Sequence, residues 1–296
     1  MLSAVEHVLA IDIGGTKMAA AVADRSGELL GARQVPTVGR TAEDLFAVVT
    51  DLVDGVLAET GLRPIGVGVG CGGPMAAGGV SVSPINIPAW DAFPLGARLA
   101  EHLDLPVTVD NDAKALALGE GWRGAAAGAR DFVAMVVSTG VGGGIVLDGH
   151  LLDGASGNAG HIGHVIVEPD GHPCACGARG CLEAEASGTA IAAITGRPAK
   201  EADAAVRVRA GTLVGRAVGS VANLLDLPLA CVAGSVALGF GEPFFAAAQA
   251  EIDRVSRLDF SRGAVIRPGG LGADGPLVGA AAVGWRALGR PLEGPS

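Results

Sequence analysis

Between Asn158 and Glu183 the chain reads NAGHIGHVIVEPDGHPCACGARGCLE, and no other stretch restricts the fold as much. Three of the five cysteines, Cys174, Cys176 and Cys181, lie here, with His161, His164 and His172 close by. A loop this rich in glycine and polar residues cannot hold its shape by apolar burial. Tetrahedral zinc wants three or four soft or borderline ligands on such a loop. The C-x-C-x4-C run supplies three thiolates, and His164, ten positions before Cys174, can return as the fourth ligand. Three unligated cysteines in a polar turn would be the bland alternative. Disulfides fit worse, because Cys174 and Cys176 are too close to pair well and an odd cysteine would remain. The stretch is read as a closed Zn²⁺ site made by one histidine and three cysteines.

The totals narrow the setting. A chain of 296 residues exceeds the usual single small core, so two lobes are expected. The net charge of −10, with no basic tract, offers no footprint for a nucleic-acid backbone. Hydrophobic content is high at 49%, but charged and turn residues interrupt every span long enough for a bilayer, so no membrane segment is expected. The opening MLSAVEH lacks a basic start, an apolar core and a cleavage site. Free-looking Cys71 and Cys231 suit a reducing compartment, and a cytoplasmic location is expected.

Taken in order, Val8 to Ile13 and Met18 to Ala23 read as strands joined by Gly14-Gly15-Thr16-Lys17. Such a turn can aim N–H groups at phosphate oxygens, and Asp12 at its mouth is placed to hold hydrated Mg²⁺. The residues would equally suit a plain tight hairpin. Thr41 to Thr60 shows helical spacing with Thr41 as N-cap. A strand from Ile65 to Val69 runs into Gly70-Cys71-Gly72-Gly73-Pro74, the kind of strand end where open α/β folds bind ligands. Asn86 lies in a loop stiffened by Pro84 and Pro88 and offers an amide to a hydroxyl.

Asp110-Asn111-Asp112 follows a short strand and opens a helix from Ala113 to Trp122. Asn and Asp are ordinary N-caps there, but the same position suits a carboxylate base facing a cleft. Ser138-Thr139-Gly140-Val141-Gly142-Gly143-Gly144 then repeats the strand–turn–strand pattern, with its second strand expected at Ile145 to Leu147. Two such hairpins could grip a polyphosphate. From Leu182 to about Leu225 an Ala-rich helical region says core packing and little else. Gly234-Ser235 forms a third strand-end turn suited to a nucleotide, and the Gly/Ala-rich helix from Pro276 to Leu288 is expected to pack tightly on a neighbour.

These residues resemble the ROK family of sugar kinases, within the group that shares its fold with actin, the heat-shock chaperone ATPases and hexokinase. The resemblance spans nearly the full length: DIGGTK at 12–17, the Asn86 loop, DND at 110–112, STGVGGG at 138–144, GHIGH at 160–164, CACGARGCLE at 174–183 and GSV at 234–236. It implies an α/β protein of two-lobed actin/hexokinase-like (ribonuclease H-like) fold. The small lobe would be 1–112 completed by a C-terminal helix within 276–296, and the large lobe 113–275 with the zinc loop at 160–183. It implies ATP and Mg²⁺ held by Asp12, Gly14, Gly15, Thr16, Lys17, Thr139, Gly140, Gly142, Gly234 and Ser235. Asp112 matches the family's catalytic base, and Gly73, Asn86, Asn111, Asp112, His161, His164 and Glu183 match its sugar contacts. His164 would serve both the sugar and the zinc. A homodimer is implied as well.

Some positions depart from the family's commonest pattern. Asp110 stands where Glu is usual, and Ser138 where Gly is usual. His161 matters more, because glucokinases of the family have Glu there. A carboxylate accepts two hydroxyls at once, whereas a neutral imidazole offers one donor and one acceptor. The AGHIGH form resembles bacterial N-acetylmannosamine kinases. The expectation is therefore an ATP-dependent kinase making a hexose or N-acylhexosamine 6-phosphate, leaning to N-acetylmannosamine, with glucose as the alternative. Part of the family is regulatory and carries a helix-turn-helix before the first strand. That strand begins near Val8 here, so a sugar-sensing regulator is the lesser expectation.

Overall fold

The computed structural model describes residues 5–290 and 292. The first four residues of the opening MLSAVEH, and most of the expected 276–296 segment beyond Arg290, lie outside the described residues. The chain forms two compact units. One takes the chain through Gly128, the excursion Asp153–Ala159 and the part from Ala273 onward; the other takes Ala129–Leu152 and Gly160–Gly272.

The first unit opens with β1 (Val8–Ile13), β2 (Lys17–Ala23) and β3 (Leu29–Pro36), then α1 (Ala42–Thr60), β4 (Val67–Cys71), α2 (Leu95–Leu103), β5 (Val107–Asn111) and α3 (Asp112–Arg123). Its sheet runs β3-β2-β1-β4-β5, antiparallel across β1–β2–β3 and parallel across β1–β4–β5. β1 is central, which is why its run Val8-Leu9-Ala10-Ile11 is apolar on both faces and fully buried. β3 has no clear sequence signal, since it is an edge strand whose Ala32, Arg33 and Gln34 face water and blur any apolar alternation. The α1 start agrees with the sequence: Thr41 Oγ1 accepts from Asp44 N at 3.1 Å, and an Asp44 carboxylate oxygen accepts from Thr41 N at 3.0 Å.

The second unit contains β6 (Phe132–Val137), β7 (Val141–Leu147), β8 (His150–Leu151), α4 (Leu182–Ala186), α5 (Gly188–Thr195), α6 (Ala204–Leu225), β9 (Leu229–Ala233), α7 (Ser235–Phe240), α8 (Glu242–Val255) and β10 (Val265–Pro268). Its sheet order is β10-β9-β6-β7-β8. Taken from β8 to β10, this is the order of the first unit, with the same antiparallel and parallel partners. The faint echo of two hairpins in the sequence is thus a repeated five-strand sheet. β7 starts four residues earlier than expected. Gly142, Gly143 and Gly144 are strand residues, and a Cβ on Gly143 would lie 2.8 Å from Ile162 and 3.2 Å from the Gly160 carbonyl. The glycines there admit a neighbouring backbone and do not form the turn. Likewise, a Cβ on Gly211 or Gly215 of α6 would lie 2.2 Å from a carbonyl of α8, so these helices meet backbone to backbone.

The chain returns to the first unit as α9 (Gly275–Ala287), against β1 and β4. A Cβ on Gly68 of β4 would fall 2.0 Å from the Ala280 carbonyl, and one on Gly279 would fall 2.5 Å from that of Ala115 in α3. This is the tight packing expected of a Gly/Ala-rich helix. It also places α3 in the first unit, whereas the small lobe was expected to end at 112: α3 is held by α9. Among the described residues no helix is long and apolar enough to cross a membrane.

Candidate functional site

In the first unit three strand ends carry the expected residues. Asp12 of β1 pairs in register with Gly70 of β4, and Gly70 with Asp110 of β5, so these strands finish together. Asp12 and Asp112 flank Gly70: a Cβ there would be 3.7 Å from Asp12 Oδ1 and 3.7 Å from Asp112 Cα. Asp12 is only partly exposed. Burial, reinforced by the charge of Asp112 and opposed by Lys17, pushes its carboxyl up to about 7. A carboxylate so poorly solvated is one that a divalent cation would stabilise.

The turn after Asp12 is closed by Gly14 N donating to Lys17 O at 3.0 Å and braced by Thr37 Oγ1, which donates to Gly14 O at 2.7 Å. Gly14 and Gly15 are half-buried, and Thr16 and Lys17 exposed. A Cβ on Gly15 would sit 2.4 Å from Asn86 Cβ, so only glycine lets the turn meet the Asn86 loop. Asn111 caps α3, its Oδ1 accepting from Ala113 N at 3.1 Å and Lys114 N at 3.4 Å. The cap is real, and it aims the amide nitrogen the other way: a Cβ on Gly73 would be 3.4 Å from Asn111 Nδ2. Asp112, one residue on, is exposed, with Oδ1 accepting from Ala113 N at 2.8 Å.

In the second unit the glycine turn between β6 and β7 is held from several sides. Gly188 N donates to Ser138 O at 2.7 Å, Thr189 Oγ1 donates to Thr139 O at 3.0 Å, and the Ser138 and Ser235 hydroxyls meet at 2.9 Å. Thr139, Gly140 and Gly142 are thereby brought to Gly234 and Ser235. Gly234 has φ of 99°, and a Cβ on it would strike the Val137 carbonyl at 2.4 Å. Glu183 joins the same cluster: its Oε2 accepts from Val141 N at 2.9 Å, and a Cβ on Gly140 would lie 2.7 Å from that oxygen. The serine pair has no sequence signal, because nothing in the letters relates hydroxyls 97 positions apart.

The metal set is brought together as the sequence indicated. Ligand atoms of His164, Cys174, Cys176 and Cys181 all lie within 4.8 Å of one another. His164 Nδ1 stands 3.7 Å from Cys174 Sγ, and Cys176 Sγ 3.6 Å from Cys181 Sγ. Three thiols and one imidazole at these separations fit a tetrahedral zinc ion, whose bonds to sulfur and nitrogen run about 2.0–2.3 Å. Burial, with the neighbouring thiols, pushes Cys181 up to about 12, so an apo loop keeps that proton and a bound cation would displace it. The rings of His161 and His164 lie 6.2 Å apart and nearly parallel, with His161 exposed. Behind the loop, the fully buried carboxylate of Glu185 takes His172 Nδ1 at 3.0 Å and Arg209 at 2.5 Å, fixing the loop to α6. Glu185 does not stand out in the letters, since its burial depends on α6.

Known proteins are similar to this chain in sequence and in fold. The family model described as ROK family matches residues 8–286. Glucokinase of Halalkalibacterium halodurans is 41% identical over 190 residues, 62% of this chain and 57% of that protein. N-acetylmannosamine kinase of Citrobacter koseri is 37% identical over 249 residues, 79% of this chain and 84% of that protein. Among solved structures, the ROK hexokinase from Thermus thermophilus superposes with a TM-score of 0.85 at 32% identity, covering 96% of this chain and 99% of that one. A ROK family glucokinase from Streptomyces griseus, solved with glucose and AMPPNP, gives 0.80 at 29% identity, covering 95% and 99%. With two repeated sheets, a three-cysteine, one-histidine cluster and glycine turns at matching strand ends, this chain belongs to the ROK family.

Proposed function

We propose that the chain is an ATP-dependent sugar kinase that transfers the γ-phosphate to the 6-hydroxyl of a hexose or N-acylhexosamine, with N-acetylmannosamine the favoured substrate. The observation that carries the kinase reading is the pair of carboxylates flanking Gly70: exposed Asp112 at a strand–helix corner and poorly solvated Asp12 at the mouth of a glycine turn. Asp112 takes the proton of the attacking hydroxyl as the bond to phosphorus forms. Phosphoryl transfer asks mostly for positioning and charge neutralisation, which Mg²⁺ supplies when bound with ATP. Asp12 would hold its hydrated ion, and the amides of Gly14, Gly15 and Thr16 would meet phosphate oxygens. Thr139, Gly140, Gly142, Gly234 and Ser235 would serve the nucleotide in the second unit.

On the sugar, Asn111 offers the amide nitrogen that its cap leaves over, and Gly73 and Asn86 bound the same corner. His164 would bind zinc through Nδ1, which leaves Nε2 for a hydroxyl. Glu183 keeps Oε1 for another, since Oε2 is given to Val141 N. A zinc ion held by His164, Cys174, Cys176 and Cys181 would shape this loop, its four protein ligands leaving no open position for a substrate oxygen. His161 supports the N-acetylmannosamine preference, because an imidazole cannot bridge two hydroxyls as Glu does. The identity to the H. halodurans glucokinase supports glucose as the second reading.

The test is ADP release with Mg-ATP against N-acetylmannosamine, N-acetylglucosamine, glucose and mannose, with Asp112→Ala as control. Strongest turnover on N-acetylmannosamine, lost by roughly 10²–10⁴-fold in the variant, is expected. Strongest turnover on glucose would establish the second reading. Silence on all four would point to another sugar or to a non-catalytic sensor.

A further inference from the structure

Lys114 is a cation where α3 does not favour one. It sits in the first turn, at the positive end of the helix dipole, and it is 3% exposed. A buried ammonium is tolerated only if all its donors are used, and here three acceptors surround it. They are Asp110 Oδ1 at 3.0 Å, Asp153 Oδ1 at 2.8 Å and the Gly157 carbonyl at 3.1 Å. Two ties result. The bond to Asp110 reaches back across the β5–α3 corner, closing a ring around Asn111 and Asp112, and the same Asp110 oxygen accepts from Asn111 N at 2.8 Å. The other two bonds hold the excursion Asp153–Ala159, whose two ends are joined by Ala159 N donating to Asp153 O at 3.0 Å. Asp153 is further met by Arg286 of α9 at 3.4 Å.

We infer that Lys114 is a positioning residue, a clamp that fixes the corner bearing Asn111 and Asp112 to the 153–159 strap. This rests on the kinase reading for what the corner does. Nothing in the fold requires an ammonium there for bulk: a methionine would fill the volume without desolvating a charge. The clamp therefore sets the frame from which the base is presented. Lys114 also lines a cavity of about 460 Å³, with Met75, Gly79, Asp110 and Asp153 among its walls, which leaves room for a longer cation.

The test compares Lys114→Met, Lys114→Arg and Asp153→Asn in the full-length, zinc-loaded protein by kinetics and by amide hydrogen exchange without substrate. For Lys114→Met, exchange should rise together at 110–113 and 153–159. The kcat should fall roughly tenfold to a hundredfold with the ATP KM unchanged, the size of loss that a misplaced reacting group causes. Lys114→Arg should recover most of the kcat. Asp153→Asn should raise exchange at 153–159 and lower kcat less than Lys114→Met does, which keeps the inference testable should Lys114→Met fail to fold. Unchanged exchange at both segments overturns the clamp, and loosened segments with wild-type kcat overturn its positioning role. If the wild-type protein turns over none of the four sugars, that result bears on the proposed substrate and activity and not on the clamp. Exchange then decides the clamp: loosening of both segments upholds it, and loosening of neither overturns it.

Discussion

The carboxyl of Asp12 titrates near 7 chiefly because burial disfavours its charge, and Asp112 adds repulsion. The folded state therefore holds this proton more tightly than the unfolded chain, whose ordinary value is 3.8. Below that value there is no penalty; it grows as pH rises toward 7 and is complete above it. Asp12→Asn should accordingly raise the melting temperature of metal-free protein near pH 8 and leave it unchanged near pH 4. The expected gain is about 2 kcal/mol, less than the full shift implies because some water reaches the group. An equal effect at both pH values would show that Asp12 is well solvated. His161 carries a different expectation. His161→Glu restores a bidentate acceptor and should move the ratio of kcat/KM for glucose over N-acetylmannosamine upward by about tenfold or more. No change in that ratio would remove His161 from sugar recognition.

The zinc loop is an element with almost no apolar content of its own. Between His172 and Gly180 it is held by short backbone bonds such as Cys174 N to Ala178 O at 2.8 Å and by Glu185 beneath it, and a cation on His164, Cys174, Cys176 and Cys181 would tie it further. Cys176 is exposed, so replacing it costs no core packing. Cys176→Ser should lose the metal, lower the melting temperature and weaken sugar binding by roughly tenfold to a hundredfold, while far-ultraviolet circular dichroism stays unchanged. Metal analysis and sugar titration on the same sample check this, and wild-type zinc content with wild-type affinity would refute it. The element was legible from its letters because the ligands are close in sequence. The partnership of Glu185 with Arg209 was not, because α6 reaches it from 24 positions away.

Across the chain, one sheet topology is used twice, and the first sheet is finished by a helix that arrives late in the sequence. For the first unit that helix is α9, which lies on β4 so closely that a Cβ on Gly68 would meet its backbone. Ending the chain after Gly272 would uncover the sheet face that carries Ala10, Ala21 and Gly68, opposite the face of Ile11 and Val69. Under limited proteolysis this truncated protein should be cut early throughout the first unit, with a surviving fragment from within Gly160–Gly272. Full resistance, with a wild-type melting curve, would mean that α9 adds little to the fold.

The sequence by itself determined the features that rest on neighbours in the chain. These are the metal ligands, the glycine turns, the capped helices and the apolar central strands, because ligand spacing, φ freedom and hydrophobic period are local properties. Tertiary structure decided the features that depend on distant partners. The edge strands β3, β8 and β10 gain identity only from the strand beside them. The glycines of β7 read as turn residues until the backbone they admit is in place. Lys114 and Glu185 look like surface charges until their counter-charges arrive from the strap and from α6. Burial and counter-charge are set by the packed molecule, and no window of sequence contains both partners.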